Sequence, residues 1–180
     1  GFQTKIGKTV GNEFHYFSGN DATRAADLQA MLDDPNIDAI LMGRGGYGLS
    51  RIIDQIDFTK FLEHPKWICG FSDITVLHAH CNTLDIPTIH STMPVSFGVA
   101  TPEALETLRQ ALTGDLHEVV LGKLNNHHAI PQMALPVLGG NLSVLDSLLG
   151  SPSIRFDKEH WLFIEDVDEM YYHIDRLMMA

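Results

Sequence analysis

Trp67-Ile68-Cys69-Gly70 runs directly into Phe71-Ser72-Asp73, and Ile74 to Asn82 follows as a mostly apolar segment. The first four residues form a short apolar run of the kind buried in a parallel sheet. Ile74 to Asn82 reads as a helix. A strand that passes into a helix through three residues, with a serine at the joint, is half of a β-α-β unit. The chain on either side keeps that rhythm. Upstream, Asp21 to Leu32 reads as a helix capped by Asn20 or Asp21 and stopped by Asp33-Asp34-Pro35-Asn36. Ala39-Ile40-Leu41-Met42 is a second buried strand, and Gly43-Arg44-Gly45-Gly46-Tyr47-Gly48 follows it as a glycine-rich loop. Leu49 to Ile56 reads as a helix, with Asp57 to Leu62 continuing it or capping a short second one. Downstream, Thr88-Ile89-His90 is a short strand and Pro102 to Thr113 a helix. The alternation predicts an α/β fold with a parallel sheet covered on both faces.

The pattern changes after Gly114. Glu118-Val119-Val120-Leu121 reads as a strand, and Gly122 to Gln132 is polar and irregular, with His127-His128 inside it. A junction there divides the chain into a domain over 1–116 and a linker with part of a second domain over 117–180. Gly139-Gly140-Asn141 precedes an apolar helix from Leu142 to Leu149, and Gly150-Ser151-Pro152 breaks it. Trp161-Leu162-Phe163-Ile164 reads as a strand ending in Glu165-Asp166, and Tyr172 to Ala180 as a helix. Leu177-Met178-Met179 on that helix reads as core or interface material.

Composition narrows the function classes. Over 180 residues, 44% are hydrophobic and 19% charged, with a mean hydropathy of +0.00, an ordinary globular balance. A chain of this size buries roughly two thirds of its unfolded surface and needs no metal or disulfide to fold. The formal charge of −11 leaves no basic footprint for nucleic acid. No apolar run reaches the ~20 residues of a membrane span. Gly1 to Gly11 lacks the apolar segment of a signal peptide. Cys69 and Cys81 fit no CxxC pattern, and free thiols in a reducing cytosol are the expectation.

Three places can carry chemistry. At Gly70-Phe71-Ser72-Asp73 the strand-to-helix joint lifts a hydroxyl above the sheet, beside the free N–H groups of a helix start that can stabilise an oxyanion. The pattern is not G-x-S-x-G, because Ile74 stands at the last glycine position, and Ser72 or Asp73 can equally serve as an N-cap. Arg44-Gly45-Gly46-Tyr47-Gly48 follows a strand at the sheet edge where ligands bind; it lacks a Gly-Lys-Ser/Thr ending, and a tight turn is the alternative. Glu165-Asp166 ends a strand, where an acid can orient a histidine; Asp168 and Glu169 compete, and a solvated strand end or helix cap is the alternative. Among the ten histidines, His78 and His80 diverge on their helix, and His90 ends a strand beside the Ser72 helix. No H-E-x-x-H occurs, so no metal site is expected.

Arg44-Gly45-Gly46-Tyr47-Gly48 with Arg51, Pro65-Lys66, Gly70 to Thr75, and His90 with Met93-Pro94 together resemble the L,D-carboxypeptidases that trim murein tetrapeptides. Gly139-Gly140-Asn141-Leu142, Phe163-Ile164-Glu165-Asp166, Tyr172, and Ile174-Asp175-Arg176 are similar to later motifs of that family, as are Phe17-Ser18-Gly19, Arg24 and Asp27 near the start. The resemblance implies a flavodoxin-like N-terminal domain followed by a β-rich C-terminal domain. It implies a serine peptidase with a Ser-Glu-His triad that releases terminal D-alanine during peptidoglycan recycling. Ser72 becomes the nucleophile and Glu165 the triad acid. The N–H groups of Asp73 and Gly46 form the oxyanion hole, and Arg44, Gly45, Tyr47 and His90 become substrate contacts. The family's histidine lies beyond a helix like Tyr172 to Ala180, so no triad histidine is assigned here. The chain is then expected to be a fragment, also lacking the family's first strand, and inactive alone. His-Gly-Pro-Met in the family reads His90-Ser91-Thr92-Met93 here. The resemblance further implies a cytoplasmic homodimer with a peptide substrate, no cofactor and no metal. Two other readings stand beside it: a microcin-type peptide-nucleotide hydrolase, and a non-enzymatic module holding a small ligand. A nucleotide-binding protein is disfavoured by the missing phosphate loop. A triad role requires Glu165 to face the cleft of Ser72 and leave room for one imidazole.

Overall fold

The computed structural model of the protein describes residues 1–115 and 133–180. Three parallel strands, β1 (Ala39–Leu41), β2 (Trp67–Gly70) and β3 (Ile89–His90), form an open sheet in that order. Around it stand α1 (Asp21–Asp33), α2 (Thr59–Glu63), α3 (Thr75–Thr83) and α4 (Pro102–Thr113). A second, smaller parallel sheet pairs β4 (Val137–Asn141) with β5 (Trp161–Glu165), joined through α5 (Leu142–Leu148). Helix α6 (Tyr171–Met178) closes the described chain. The junction near 116, the strand expected at Glu118–Leu121, the irregular run to Gln132 and His127-His128 lie outside the described residues.

The helix ends follow local chemistry. The Asn20 side chain accepts from the Thr23 N–H at 2.9 Å and starts α1. At its other end the Lys66 ammonium, brought by the approach to β2, donates to the carbonyls of Met31 (3.2 Å) and Asp34 (2.6 Å). The Met31 carbonyl has no intrahelical partner and is capped by this buried cation, and the Asp34 carbonyl, just past the helix, also accepts from the Ile37 N–H at 3.2 Å. Helix α4 begins at Pro102 behind the Thr101 cap and ends at Gly114, which takes the left-handed conformation at φ 77°.

One core serves both sheets. Ile68 of β2, Phe61 of α2 and Val76, Leu77, Ala79 and Cys81 of α3 pack with Leu138 of β4 and Leu145 and Leu148 of α5. Helix α3 lies between the two sheets and contributes to both. Cys69 and Cys81 are free and buried, and burial pushes each thiol up to about 12.

Three expectations need correction, and one strand was missed. Leu49 to Ile56 forms two 3-10 turns, Leu49–Arg51 and Ile53–Gln55, rather than one helix. Leu49, Ile52 and Ile53 face the core at helical spacing, but three β-branched isoleucines in so short a stretch disfavour α-helix. Strand β1 is half-buried rather than buried, because it ends the strand order among the described residues. Strand β4 was not anticipated, since Gly139 and Gly140 weaken its strand signal. Met178 and Met179 are exposed, so they are not core among the described residues. Among those residues no helix is long and apolar enough to cross a membrane.

Candidate active site

Strand β2 stops at Gly70, where a Cβ would lie 2.8 Å from Ile74 Cγ1. Two residues later Ser72 adopts φ 64°, left-handed for a residue with a side chain. That conformation costs about 1–2 kcal/mol and persists where the surroundings over-determine it, commonly at functional sites. A single 3-10 turn, Ser72–Ile74, then feeds α3. The Ser72 hydroxyl makes no hydrogen bond among the described residues, and no side chain caps this helix start. The capping alternative for Ser72 and Asp73 therefore has no hydrogen bond behind it. The Asp73 and Gly46 N–H groups likewise find no acceptor among the described residues.

The strand end beneath the serine is braced. The Gly70 carbonyl accepts from the Ser91 N–H at 3.1 Å and lies 2.9 Å from His78 Nε2. His78 Nδ1 is 2.7 Å from the Thr88 hydroxyl. Burial lowers the His78 pKa to about 4, so the ring is neutral at physiological pH. With the proton on Nε2 donated to the carbonyl, Nδ1 accepts from Thr88.

The glycine loop leaves β1 and turns over the serine. A Cβ on Gly45 would lie 2.8 Å from Ser72 Cβ and 2.9 Å from its Oγ, so only glycine fits against the hydroxyl there. Gly46, at φ 115°, has open space around its Cβ position. The buried Asp73 carboxylate reaches back across the cleft and accepts from the Leu49 N–H at 3.0 Å. Burial raises the Asp73 pKa, and the loop amides partly offset that rise. From outside, Arg24 donates to the Gly48 carbonyl at 3.0 Å and pairs with Asp21 at 2.6 Å. Arg51 pairs with the same Asp21 at 2.6 Å. The Arg24 guanidinium also lies over the Phe17 ring, 4.8 Å from its centroid, and the exposed Tyr47 ring is 6.2 Å from Phe17. Arg44 is exposed and forms no ion pair among the described residues.

The second sheet carries Glu165, the candidate acid. Its register sets Asn141 opposite Glu165. Glu165 is half-buried, and burial and then the neighbouring Asp166 charge raise its pKa. The Ser72 backbone N–H lies close enough to the carboxylate to offset part of that rise. Glu165 Oε1 is buried with no hydrogen-bond partner among the described residues. The competing acids are engaged elsewhere or exposed. Asp166 accepts from Asn141 Nδ2 at 2.9 Å and the Ser143 N–H at 3.1 Å. Glu169 lies 2.6 Å from His173 Nδ1, and Asp168 is exposed. These acids and Glu165, with Leu142, Ile164 and Ile174, line an open cavity of about 240 Å³.

His90, at the end of β3, packs edge-on to Phe163 of β5 with centroids 4.8 Å apart. Phe71 and His78 lie 6.1 Å from it. Desolvation on that inner side lowers its pKa. It hydrogen-bonds neither Ser72 nor Glu165, so it lines the junction of the two sheets without bridging the pair. No group of three or more His, Cys, Asp and Glu side chains among the described residues is arranged to hold a metal ion. The sequence reading missed the Asp73 carboxylate, His78, Thr75 and Asn141. Only Asn141, an asparagine directly before a helix, carried a local signal; the others act through contacts distant in sequence.

The chain matches the family described as LD-carboxypeptidase N-terminal domain over residues 1–91 and LD-carboxypeptidase C-terminal domain over residues 136–180. It is 36% identical to a "Probable murein peptide carboxypeptidase" of Bacillus subtilis, over 99% of this chain and 57% of the relative. It is 29% identical to the murein tetrapeptide carboxypeptidase of Pseudomonas aeruginosa, over 98% of this chain and 61% of the relative. The chain thus spans little more than half the length of these relatives. In fold it is similar to the muramoyltetrapeptide carboxypeptidase of Oxalobacter formigenes, with a TM-score of 0.75 and 21% identity over 94% of this chain and 59% of that one. It is also similar to a microcin C7 self-immunity protein solved with aspartyl sulfamoyl adenosine, with a TM-score of 0.77 and 23% identity over 95% and 61%.

Proposed function

The chain belongs to the LD-carboxypeptidase family, and on that premise we propose that it carries the nucleophile and acid of a serine carboxypeptidase acting on murein tetrapeptides. The observation that carries the reading is the buried, unpartnered Glu165 oxygen, on a residue set opposite Asn141, whose N–H is bonded to Thr75 three residues from Ser72. A buried acceptor is costly to leave unpaired, and an imidazole N–H supplied from outside the described residues satisfies it.

Ser72 is then the nucleophile. The imidazole removes its proton as the hydroxyl attacks the carbonyl of the terminal peptide bond, and Glu165 stabilises the resulting imidazolium. The Asp73 and Gly46 N–H groups, both without acceptors among the described residues, receive the oxyanion. The imidazolium returns the proton to the departing D-alanine amine, and water then releases the acyl group from Ser72 by the reverse sequence. Arg44, Tyr47 and His90 line the approach to the serine and contact the peptide.

The test uses the full-length protein and a murein tetrapeptide, with release of D-alanine as the readout. Ser72→Ala abolishes turnover and leaves the melting temperature within a few degrees. Glu165→Gln lowers kcat by ~10²-fold or more, since a neutral amide cannot stabilise the imidazolium. Turnover retained by Ser72→Ala removes the assignment.

A further inference from the structure

The two halves of this site come from different sheets, and one side chain joins them beside the serine. Thr75 is the first residue of α3, three residues after Ser72, and is fully buried. Its hydroxyl accepts a hydrogen bond from the Asn141 N–H at 2.9 Å. Asn141 is the last residue of β4 and the register partner of Glu165. Gly140, at φ 144°, brings the strand so close that a Cβ there would run into the Thr75 side chain. Beyond the bond, Asn141 caps α5 through the Val144 N–H at 3.1 Å and holds Asp166 at 2.9 Å. The second sheet is therefore internally fixed where Thr75 grips it.

We propose that Thr75 is a positioning residue, whose hydroxyl sets Glu165 at its working distance from Ser72. The path is short: Ser72 and Thr75 share one helical start, Thr75 holds Asn141, and Asn141 lies opposite Glu165. Without the hydroxyl, the Asn141 N–H is a buried donor lacking a partner, and the strand end must move to find one. Both reacting groups stay present, but their separation changes, and a displacement near 1 Å costs a rate of about 10²-fold. The Thr75 methyl group contributes only packing against Gly140. Serine at this position therefore keeps the function, and valine, which keeps the shape, does not.

The inference rests on the roles given to Ser72 and Glu165, and the experiment separates the two. Thr75→Val, Thr75→Ser and Ser72→Ala are compared in the full-length protein by D-alanine release from a murein tetrapeptide. Expected are no turnover in Ser72→Ala, a kcat about 10²-fold lower at unchanged KM in Thr75→Val, and a kcat within about 3-fold of wild type in Thr75→Ser. Should Thr75→Val fail to fold, Thr75→Ser decides alone: a large loss in that variant assigns the effect to the methyl group and overturns the proposal. Wild-type kcat in Thr75→Val with an inactive Ser72→Ala overturns it while sparing the peptidase reading. An active Ser72→Ala overturns both.

Discussion

Gly45→Ala is the sharpest probe of the serine's surroundings. The substituted Cβ would sit 2.8 Å from Ser72 Cβ, 2.9 Å from Ser72 Oγ and 3.5 Å from Met93 Cε. Carbon atoms pack at about 3.5–4.0 Å, so the overlap with the serine is close to 1 Å. Something must give. Ser72 is held from below by Ile74, which is fully buried, and by the braced Gly70 carbonyl. The loop is tied at its two ends, at Gly43 by the Val95 N–H and at Gly48-Leu49 by Arg24 and Asp73, while the Gly45-Gly46 backbone between them makes no hydrogen bond among the described residues. The loop therefore moves outward, and the Gly46 N–H moves with it. The stability cost is that of modest overpacking, about 1–3 kcal/mol. With Gly46 as the proposed oxyanion donor, the kinetic cost is about 10²-fold in kcat. Gly46→Ala serves as the contrast: its Cβ meets nothing within 4 Å, but φ 115° strains any side chain, so it loses about 1–3 kcal/mol of stability. The assay pairs kcat on a murein tetrapeptide and the rate of Ser72 labelling by a fluorophosphonate with the melting temperature of each variant. Gly45→Ala with wild-type kcat and labelling would refute the contact between the loop and Ser72.

Further outcomes follow from the same geometry. Ser72→Gly relieves the left-handed backbone at φ 64° and raises stability by about 1 kcal/mol while abolishing turnover; a lower melting temperature would show that Ser72 is not strained. Asp73→Ala leaves the buried Leu49 N–H without its acceptor, lowers stability by about 1–3 kcal/mol, and speeds hydrogen exchange at the Leu49 amide. His78 has a folded pKa of about 4, below its ordinary 6.5, so the unfolded chain binds the proton first as pH falls. Its contribution is complete above pH 6.5 and is lost between there and about pH 4, at up to about 1.4 kcal/mol per pH unit. His78→Gln removes that part of the slope in denaturant melts taken across this range; an unchanged slope would mean the ring is not buried neutral.

What could be read from the sequence was local. Trp67 to Asn82 is a strand, a turn and a helix whatever surrounds it, because an apolar run, a small turn and a helix start are contiguous. The same holds for Pro102 to Thr113, bounded by a threonine cap and a glycine stop. It also holds for Trp161 to Glu165, so Ser72 and Glu165 could both be named as candidates at element ends. The fold decided what depends on distant contacts. Strand β4 exists because Gly139 and Gly140 permit its close approach to Phe163 and Thr75, and the glycines that allow that approach erase the strand signal. Leu49 to Ile56 has helical spacing, but its isoleucines and the preceding loop close it into tighter turns. Glu165, Asp166, Asp168 and Glu169 are equivalent as letters; the β4–β5 register and the Asn141 hydrogen bonds engage Asp166 and leave a buried Glu165 oxygen unpartnered among the described residues. Asp73 and Thr75 act across 24 and 66 residues of chain. Element identity is set by neighbours within a few positions of the chain, whereas the facing of one side chain toward another is set by packing that only the folded molecule possesses.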